Sequence, residues 1–212
     1  MTVLLLIRHG HTDTAGKRLT GWQRGIHLNA RGREEANGLV GRLEGVPVRA
    51  IYSSPLERCR ETAIPVARAR KVPIRVRRGL IETGYGDWTG RAISQLRRSK
   101  MWRQLHVSPS SIRFPNGESL PGVQERAVAE LGRIAADHPN GVIAIVTHAD
   151  VVALAVAHFA GIHIDQFQRL VIEPASISVV ALGEGAPRVM KVNDTGDLGA
   201  LVRKRERAKL RG

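Results

Sequence analysis

Two arginines and two histidines stand where three apolar segments of the chain end. Arg8 and His9 follow the first segment, and His148 follows the third. Arg58 comes shortly after the second segment. Because ligands of open α/β sheets bind beyond the carboxyl ends of the strands, these four side chains are expected to converge. Guanidinium groups bind tetrahedral oxyanions through paired hydrogen bonds, and their charge lowers the pKa of a neighbouring imidazole.

A neutral imidazole is a nucleophile toward phosphorus, so this set of side chains is suited to phosphoryl transfer through a phosphohistidine. The leaving oxygen of such a transfer needs a proton. Glu82, in the glycine-rich segment 78–90, is the candidate acid if burial and its neighbours raise its pKa. The glycine-rich phosphate-binding loops of nucleotide-binding proteins and the Gly-x-Ser-x-Gly elbow of serine hydrolases are both missing from the sequence.

Strand-like and helix-like segments alternate along the chain, and these elements must position the site. The strand-like segments are residues 2–7, 49–53, 74–76, 141–147, 176–182 and 188–192, of which the last two form a predicted hairpin at the sheet edge. The helix-like segments are residues 30–43, 54–70, 92–104, 120–137 and 150–160. Asn29 is the predicted N-cap of the first helix, and Ser54 with Glu57 predicts a capping box for the second. The alternation predicts a single α/β domain with a mainly parallel sheet.

The chain of 212 residues is strongly basic, with 33 Lys and Arg against 19 Asp and Glu and a net charge of +14. Basic runs, such as the one at residues 203–212, can bind nucleic acid or other polyanions. Aromatic residues make up only 4%, so side chains that could stack on the bases of a single strand are scarce. Charge alone is a weak signal, so a tail exposed to solvent is favoured over a tail that binds nucleic acid. The predicted division is a domain of residues 1–197 and a basic tail of residues 198–212.

The number of cysteines and the length of the apolar runs indicate in which compartment the protein is expected. Cys59 is the only cysteine, which excludes an intramolecular disulfide and a cysteine-rich zinc site. The apolar run at residues 3–7 is short and follows no basic segment, unlike a secretory signal. The stretch at residues 151–161 is too short to span a bilayer. These features predict a cytoplasmic protein without membrane contact, and they leave open whether it forms a homodimer.

Five short motifs occur in an order that resembles the histidine phosphatase superfamily, the phosphoglycerate mutase-like proteins. They are an Arg-His-Gly signature within residues 6–12, a second-arginine helix within 53–63, a general-acid loop within 80–90, a Gly-Glu-Ser segment within 115–119 and a second-histidine strand end at 146–148. A single Arg-His-Gly would be a weak signal, but these five motifs together cover most of the chain. The resemblance implies a three-layer α/β/α sandwich with a mainly parallel central sheet.

The resemblance also implies catalytic roles. His9 would be the nucleophile, and Glu82 would donate and later accept the proton. The nonbridging phosphate oxygens would be held by Arg8, Arg58 and His148, and the remaining substrate-binding positions would be Thr20, Gly21 and Ala149. Since cationic side chains would neutralise the developing charge, no metal and no cofactor are required. A metal site built from His9, His11, His148 and Asp150 is disfavoured, because the neighbouring arginines would repel a cation.

The predicted function is a metal-independent phosphatase that acts on a small phosphate monoester. The segments between the motifs are compact, whereas the glycolytic mutases of the family carry longer insertions, so a phosphatase is favoured over a phosphomutase. Ala15, Ala149 and the run His27-Leu28-Asn29 depart from the family pattern, which bears on substrate contacts rather than on the phosphate pocket. Basic residues near the motifs indicate a second anionic group on the substrate, namely Lys17, Arg18, Arg24 and Arg113. An alternative of another class is a non-catalytic protein that binds nucleic acid or another polyanion through its tail.

Overall fold

The computed structural model describes residues 1–196, and these form six β-strands and six α-helices. The strands are β1 (Thr2–Arg8), β2 (Val48–Ser53), β3 (Ile74–Val76), β4 (Val142–Thr147), β5 (Ile177–Leu182) and β6 (Arg188–Asp194). The helices are α1 (Ala30–Arg42), α2 (Glu57–Arg70), α3 (Ile93–Leu96), α4 (Lys100–Val107), α5 (Leu120–Asp137) and α6 (Ala149–Phe159). The predicted domain boundary at residue 197 and the basic tail lie outside the described residues.

The strands form one sheet in the order β3-β2-β4-β1-β5-β6. The first four strands of that order are parallel, β5 runs antiparallel to β1, and β6 pairs antiparallel with β5 at the edge. The mainly parallel sheet and the edge hairpin predicted from the sequence are therefore confirmed. In the register, Arg8 lies opposite Thr147, and Ser53 lies opposite Val146. Three neighbouring strands thus bring the residues that follow them to the same edge.

Helices cover both faces of the sheet, which explains why β1 is apolar along its whole length. Leu4 and Leu6 pack into a core with residues of α5 and α6. Leu5 and Ile7 pack into a second core with residues of α1 and α2. The result is the expected three-layer α/β/α sandwich. Within residues 1–196, no helix combines the length and the apolar character needed to cross a membrane.

Side-chain caps set the starts of α1 and α4. α1 begins as predicted, because the Asn29 side chain accepts a hydrogen bond from the Gly32 N–H at 2.9 Å. The single helix predicted over residues 92–104 is wrong, since this region contains α3 and α4. The Ser99 hydroxyl accepts from the Trp102 N–H at 3.1 Å and so begins α4 separately.

The second long helix starts later than the sequence predicts. α2 begins at Glu57 with Leu56 at the N-cap and without a side-chain cap, so the expected capping box is wrong. The Ser54 hydroxyl instead lies 2.8 Å from Nε2 of the His148 ring. A serine with the sequence signature of a helix cap therefore contacts one of the predicted site residues.

Candidate active site

The four predicted side chains meet at the carboxyl edge of the sheet. Arg8 ends β1, His9 follows it, and His148 follows β4. Arg58 lies in the first turn of α2. His9, Arg58 and His148 are only 7%, 1% and 0% exposed. The rings of the two histidines lie edge to face with their centroids 5.3 Å apart, so the cluster predicted from the sequence is both assembled and buried.

The His9 ring is neutral and has one defined tautomer. Its Nδ1 lies 2.8 Å from the Gly10 carbonyl oxygen, which can only accept, so Nδ1 carries the hydrogen and Nε2 keeps a free lone pair. Burial lowers the pKa of His9 to about 3, and the charges of Arg58 and Arg8 act in the same direction. At neutral pH the His9 ring is therefore uncharged, as the predicted nucleophile must be.

The segment that carries His9 is fixed between two helices. The Gly10 N–H donates to the Thr62 hydroxyl of α2 at 3.0 Å. On the other side, a Cβ on Gly32 of α1 would lie 2.1 Å from the His11 carbonyl oxygen, so only glycine permits this approach. The packing of α1 and α2 thus sets the position of the His9 backbone.

Both arginines keep buried N–H groups without a hydrogen-bond partner in the described part of the chain. Arg58 donates from Nη2 to the Gly21 carbonyl at 2.9 Å, which leaves its Nε and Nη1 unpaired. Arg8 donates from Nη1 to the Ile172 carbonyl at 2.6 Å, which leaves its Nε unpaired. Burial also lowers the pKa of Arg8. Because buried unpaired donors are costly, these three groups indicate an anion-binding site.

The other predicted substrate-binding residues lie around this cluster. The Gly21 carbonyl accepts a hydrogen bond from Arg58 and so positions that side chain. Thr20 is half-buried beside it, and its carbonyl accepts a hydrogen bond within a turn. Ala149 is the first residue of α6, directly after His148, so the start of this helix adjoins the pocket. The contact of all three with a substrate stays a prediction.

The His148 ring has neighbours at both nitrogens. Nε2 lies 2.8 Å from the Ser54 hydroxyl, and Nδ1 lies 3.5 Å from Oε2 of Glu82. The Ser54 oxygen accepts from the Leu56 N–H, and Sγ of Cys59 lies 3.4 Å from Nε2. Where Ser54 donates its hydrogen to Nε2, the ring carries its own N–H on Nδ1. Burial holds the pKa of His148 well below its usual range, and Arg58 adds to that effect, so the ring is neutral.

Glu82 is the buried carboxyl of the cluster, only 8% exposed. Its Oε1 accepts from the Thr83 N–H at 2.9 Å. Burial raises the pKa of Glu82 to about 7, the charge of Asp150 adds to this rise, and Arg58 opposes it. A carboxyl with a pKa near neutrality can give up a proton and take one back, as the predicted acid must.

Asp150 has a part in this site that the sequence analysis missed, because it was weighed only as a metal ligand. It lies in the first turn of α6 and accepts from the Tyr85 hydroxyl at 2.7 Å. Burial raises the pKa of Asp150 too. Its place two residues after His148 was the available signal, but nothing in the sequence indicated that its charge would act on Glu82.

The geometry does not favour the alternative metal site. His11 turns to Glu35, with Nδ1 2.7 Å from Oε1, and Nδ1 of His9 faces a backbone carbonyl. Among residues 1–196, no group of three or more His, Cys, Asp or Glu side chains is placed to hold a metal ion. Oxyanion binding by the arginines is the chemistry that the described side chains fit best.

Comparison with known proteins agrees with this arrangement. Residues 4–195 match the family model of the histidine phosphatase superfamily, branch 1. Phosphoserine phosphatase 1 of Hydrogenobacter thermophilus is 27% identical over 94% of this chain and 95% of its own length. A 2,3-bisphosphoglycerate-dependent phosphoglycerate mutase of Thermoplasma acidophilum is 25% identical over 85% of this chain and 87% of its own length. The solved structure of Bacillus stearothermophilus YhfR superposes with a TM-score of 0.86 at 30% identity, covering 93% of this chain and 99% of that chain.

Proposed function

The chain belongs to the histidine phosphatase superfamily, and we propose that this phosphatase hydrolyses a small phosphate monoester through a phosphohistidine on His9, without a metal ion. The observation that carries the proposal is a neutral His9 with a free Nε2, clustered with the unpaired N–H groups of Arg8 and Arg58. Similarity to a phosphoserine phosphatase over nearly the whole chain supports a small phosphorylated substrate.

In the first step, the substrate phosphate binds the unpaired N–H groups of Arg8 and Arg58 and the Nδ1–H of His148. Nε2 of His9 forms a bond to phosphorus while the ester P–O bond breaks. The departing oxygen takes the proton of Glu82 and leaves as an alcohol. The N–H groups neutralise the charge that develops on the phosphoryl oxygens.

In the second step, a water molecule attacks the phosphorus of the phosphohistidine. The Glu82 carboxylate takes a proton from this water as the new P–O bond forms and the P–N bond breaks. Inorganic phosphate leaves, and His9 and Glu82 return to their starting protonation states. The pKa of about 7 suits Glu82 to both directions of proton transfer.

A phosphomutase is the second candidate, because a phosphoglycerate mutase is among the relatives of the chain. Both activities use the same phosphohistidine. A phosphatase gives the phosphoryl group to water, whereas a mutase returns it to a second hydroxyl of the substrate. Free phosphate and isomer formed from a phosphorylated hydroxy acid are therefore measured in the same reaction, and phosphate is the expected product.

Several expectations from the sequence stay predictions. These are a cytoplasmic location, a homodimer as an open possibility, and polyanion binding as the alternative function of another class. The last of them depends on the basic tail of residues 198–212. Polyanion binding by the tail is expected to weaken steeply as the salt concentration rises. Catalysis by His9 does not require such binding.

The proposed function is tested by phosphate release from p-nitrophenyl phosphate in the presence of EDTA. Release is expected from the wild type and is expected to be lost in His9→Ala, because this variant lacks the imidazole that is proposed to take the phosphoryl group. His106→Ala is the matched control, since His106 is paired with Gln168 on the surface. Activity that disappears with EDTA, or that survives in His9→Ala, would contradict the proposal.

A further inference from the structure

An ion pair outside the phosphate pocket is hydrogen-bonded to the loop that contains Glu82, the proposed acid. The acid loop comprises residues 79–84, with Glu82 near its end. Arg126 of α5 and Glu118, just before that helix, form the pair through two hydrogen bonds. Nε of Arg126 donates to Oε1 of Glu118 at 2.7 Å, and Nη2 donates to Oε2 at 2.9 Å. Such a bidentate contact fixes both side chains in one orientation.

The remaining N–H groups of Arg126 donate hydrogen bonds to the backbone of the acid loop. Nη1 donates to the Gly79 carbonyl at 3.0 Å and to the Ile81 carbonyl at 2.8 Å. Nη2 donates to the carbonyl of Glu82 itself at 2.9 Å. A guanidinium has five N–H donors, and all five are used in these contacts. Arg126 is therefore saturated by the protein, unlike the two arginines of the phosphate pocket.

Glu118 holds the far end of the same loop. Its Oε2 accepts from the Gly84 N–H at 2.7 Å, and its backbone N–H donates to the Gly84 carbonyl at 2.8 Å. The indole N–H of Trp22, which lies between β1 and α1, donates to the Glu82 carbonyl at 2.5 Å and so adds a further contact. The backbone is thus held on both sides of the Glu82 side chain.

We infer that Arg126 and Glu118 are positioning residues that hold the Glu82 carboxyl at hydrogen-bond distance from the leaving oxygen. The inference rests on the proposed function, in which Glu82 is the acid. Proton transfer needs the donor within hydrogen-bond reach, and a displacement of about 1 Å can cost about 100-fold in rate. Lysine cannot replace Arg126, because an ammonium group cannot contact a carboxylate and three carbonyls in this fixed geometry.

The test compares two substrates whose leaving groups need the acid to different degrees. An alkyl phosphate such as glycerol phosphate needs protonation of its leaving oxygen, whereas p-nitrophenyl phosphate needs little. In Arg126→Met, kcat/KM for the alkyl phosphate is expected to fall about 100-fold, with a much smaller change for p-nitrophenyl phosphate. Arg126→Lys is expected not to restore it. An equal fall of both values in a folded Arg126→Met would overturn the inference.

Arg133→Met is the matched control on the same helix. Arg133 is paired with Glu130 at 2.7 Å, and its side chain is 65% exposed. This variant is expected to keep the wild-type ratio of the two substrates. If Arg126→Met does not fold, Glu118→Gln decides, because it keeps the side-chain size and removes the charge that orients Arg126. An unchanged ratio in a folded Glu118→Gln would overturn the inference.

A double-mutant cycle with Glu82→Gln separates the inference from the proposed function. If Arg126 acts through Glu82, adding Arg126→Met to Glu82→Gln is expected to change the substrate ratio no further. An independent second loss would overturn the positioning role alone. If Glu82→Gln itself lowers kcat/KM equally for both substrates, the assignment of Glu82 as the acid fails, and the inference fails with it.

Discussion

His9 and Glu82 are both buried, yet burial moves their pKa values in opposite directions. It lowers the pKa of His9 to about 3 and raises that of Glu82 to about 7. The common cause is that a poorly solvated site disfavours the charged form of each group. Between these two pKa values His9 is neutral and Glu82 is protonated, which is the state that the proposed first step requires.

The first prediction concerns the pH dependence of kcat/KM for an alkyl phosphate. Below a pH of about 7 Glu82 carries the proton that it must donate, and above that pH the proton is lost, so kcat/KM is expected to fall. In Glu82→Gln the amide does not titrate, and the lower activity is expected to continue without that fall. The ratio of wild type to variant cancels the ionisation of the substrate. A ratio that stays constant through neutral pH would count against the acid role.

The residues proposed to touch the phosphate could be predicted from the sequence, whereas their supporting residues could not. Arg8, His9 and His148 are marked by their place at strand ends, which the apolar runs define. Arg126 is one of several polar positions on α5, and its contacts with the acid loop depend on tertiary packing. Asp150 acts on Glu82 through charge, which a linear pattern does not reveal.

The close approach of α1 to the segment after β1 decides where His9 lies. A Cβ on Gly32 would meet the His11 carbonyl oxygen at 2.1 Å, whereas nothing lies within 4 Å of a Cβ on Gly38 in the same helix. The two glycines therefore have different reasons to be present. Only the first is required by the packing of the site.

The second prediction follows from this difference. Gly38→Ala is expected to raise the free energy of unfolding by about 0.5–1 kcal/mol, because alanine favours the helix. Gly32→Ala is expected to lower it and also to reduce kcat/KM, since the clash displaces the segment that carries His9. Chemical denaturation and steady-state kinetics measure both effects. Stabilisation by both substitutions with full activity would show that the approach is not constrained.

Strands and helices differed in how well the sequence placed their ends. β1 and β4 were predicted to within a residue or so, because strands buried on both faces are continuous apolar runs. Two helix starts were missed, one because its serine has a distant partner and one because a local serine cap divides the segment. Ser54 contacts His148 instead of capping α2, and Ser99 begins a separate α4.

The site exists because β2, β4 and β1 are adjacent and parallel. Their carboxyl ends lie side by side, so side chains far apart in the sequence meet without a linker or a second domain. The family model ends at residue 195, before the basic tail begins. The residues proposed for the phosphatase site all precede the tail.

The third prediction separates the catalytic domain from that tail. Removal of residues 198–212 is expected to leave kcat/KM for p-nitrophenyl phosphate unchanged, because none of the proposed catalytic residues lies there. Any binding to a polyanion such as heparin is expected to weaken and to lose much of its salt dependence. Kinetics and salt-dependent binding are measured on the same preparation. Loss of activity in the shortened chain would place part of the active site in the tail.

The phosphohistidine on His9 is tested most directly by trapping it. Glu82→Gln lacks the base for the second step, while p-nitrophenyl phosphate needs little acid in the first, so the intermediate is expected to accumulate. The reaction is quenched in alkali after a burst of p-nitrophenol, and the peptides are examined by mass spectrometry. One acid-labile phosphoryl group is expected, carried by the peptide that contains His9 and absent in the double variant with His9→Ala. A burst with no phosphoryl group on that peptide, or with the group on another side chain, would contradict the assignment of His9 as the nucleophile.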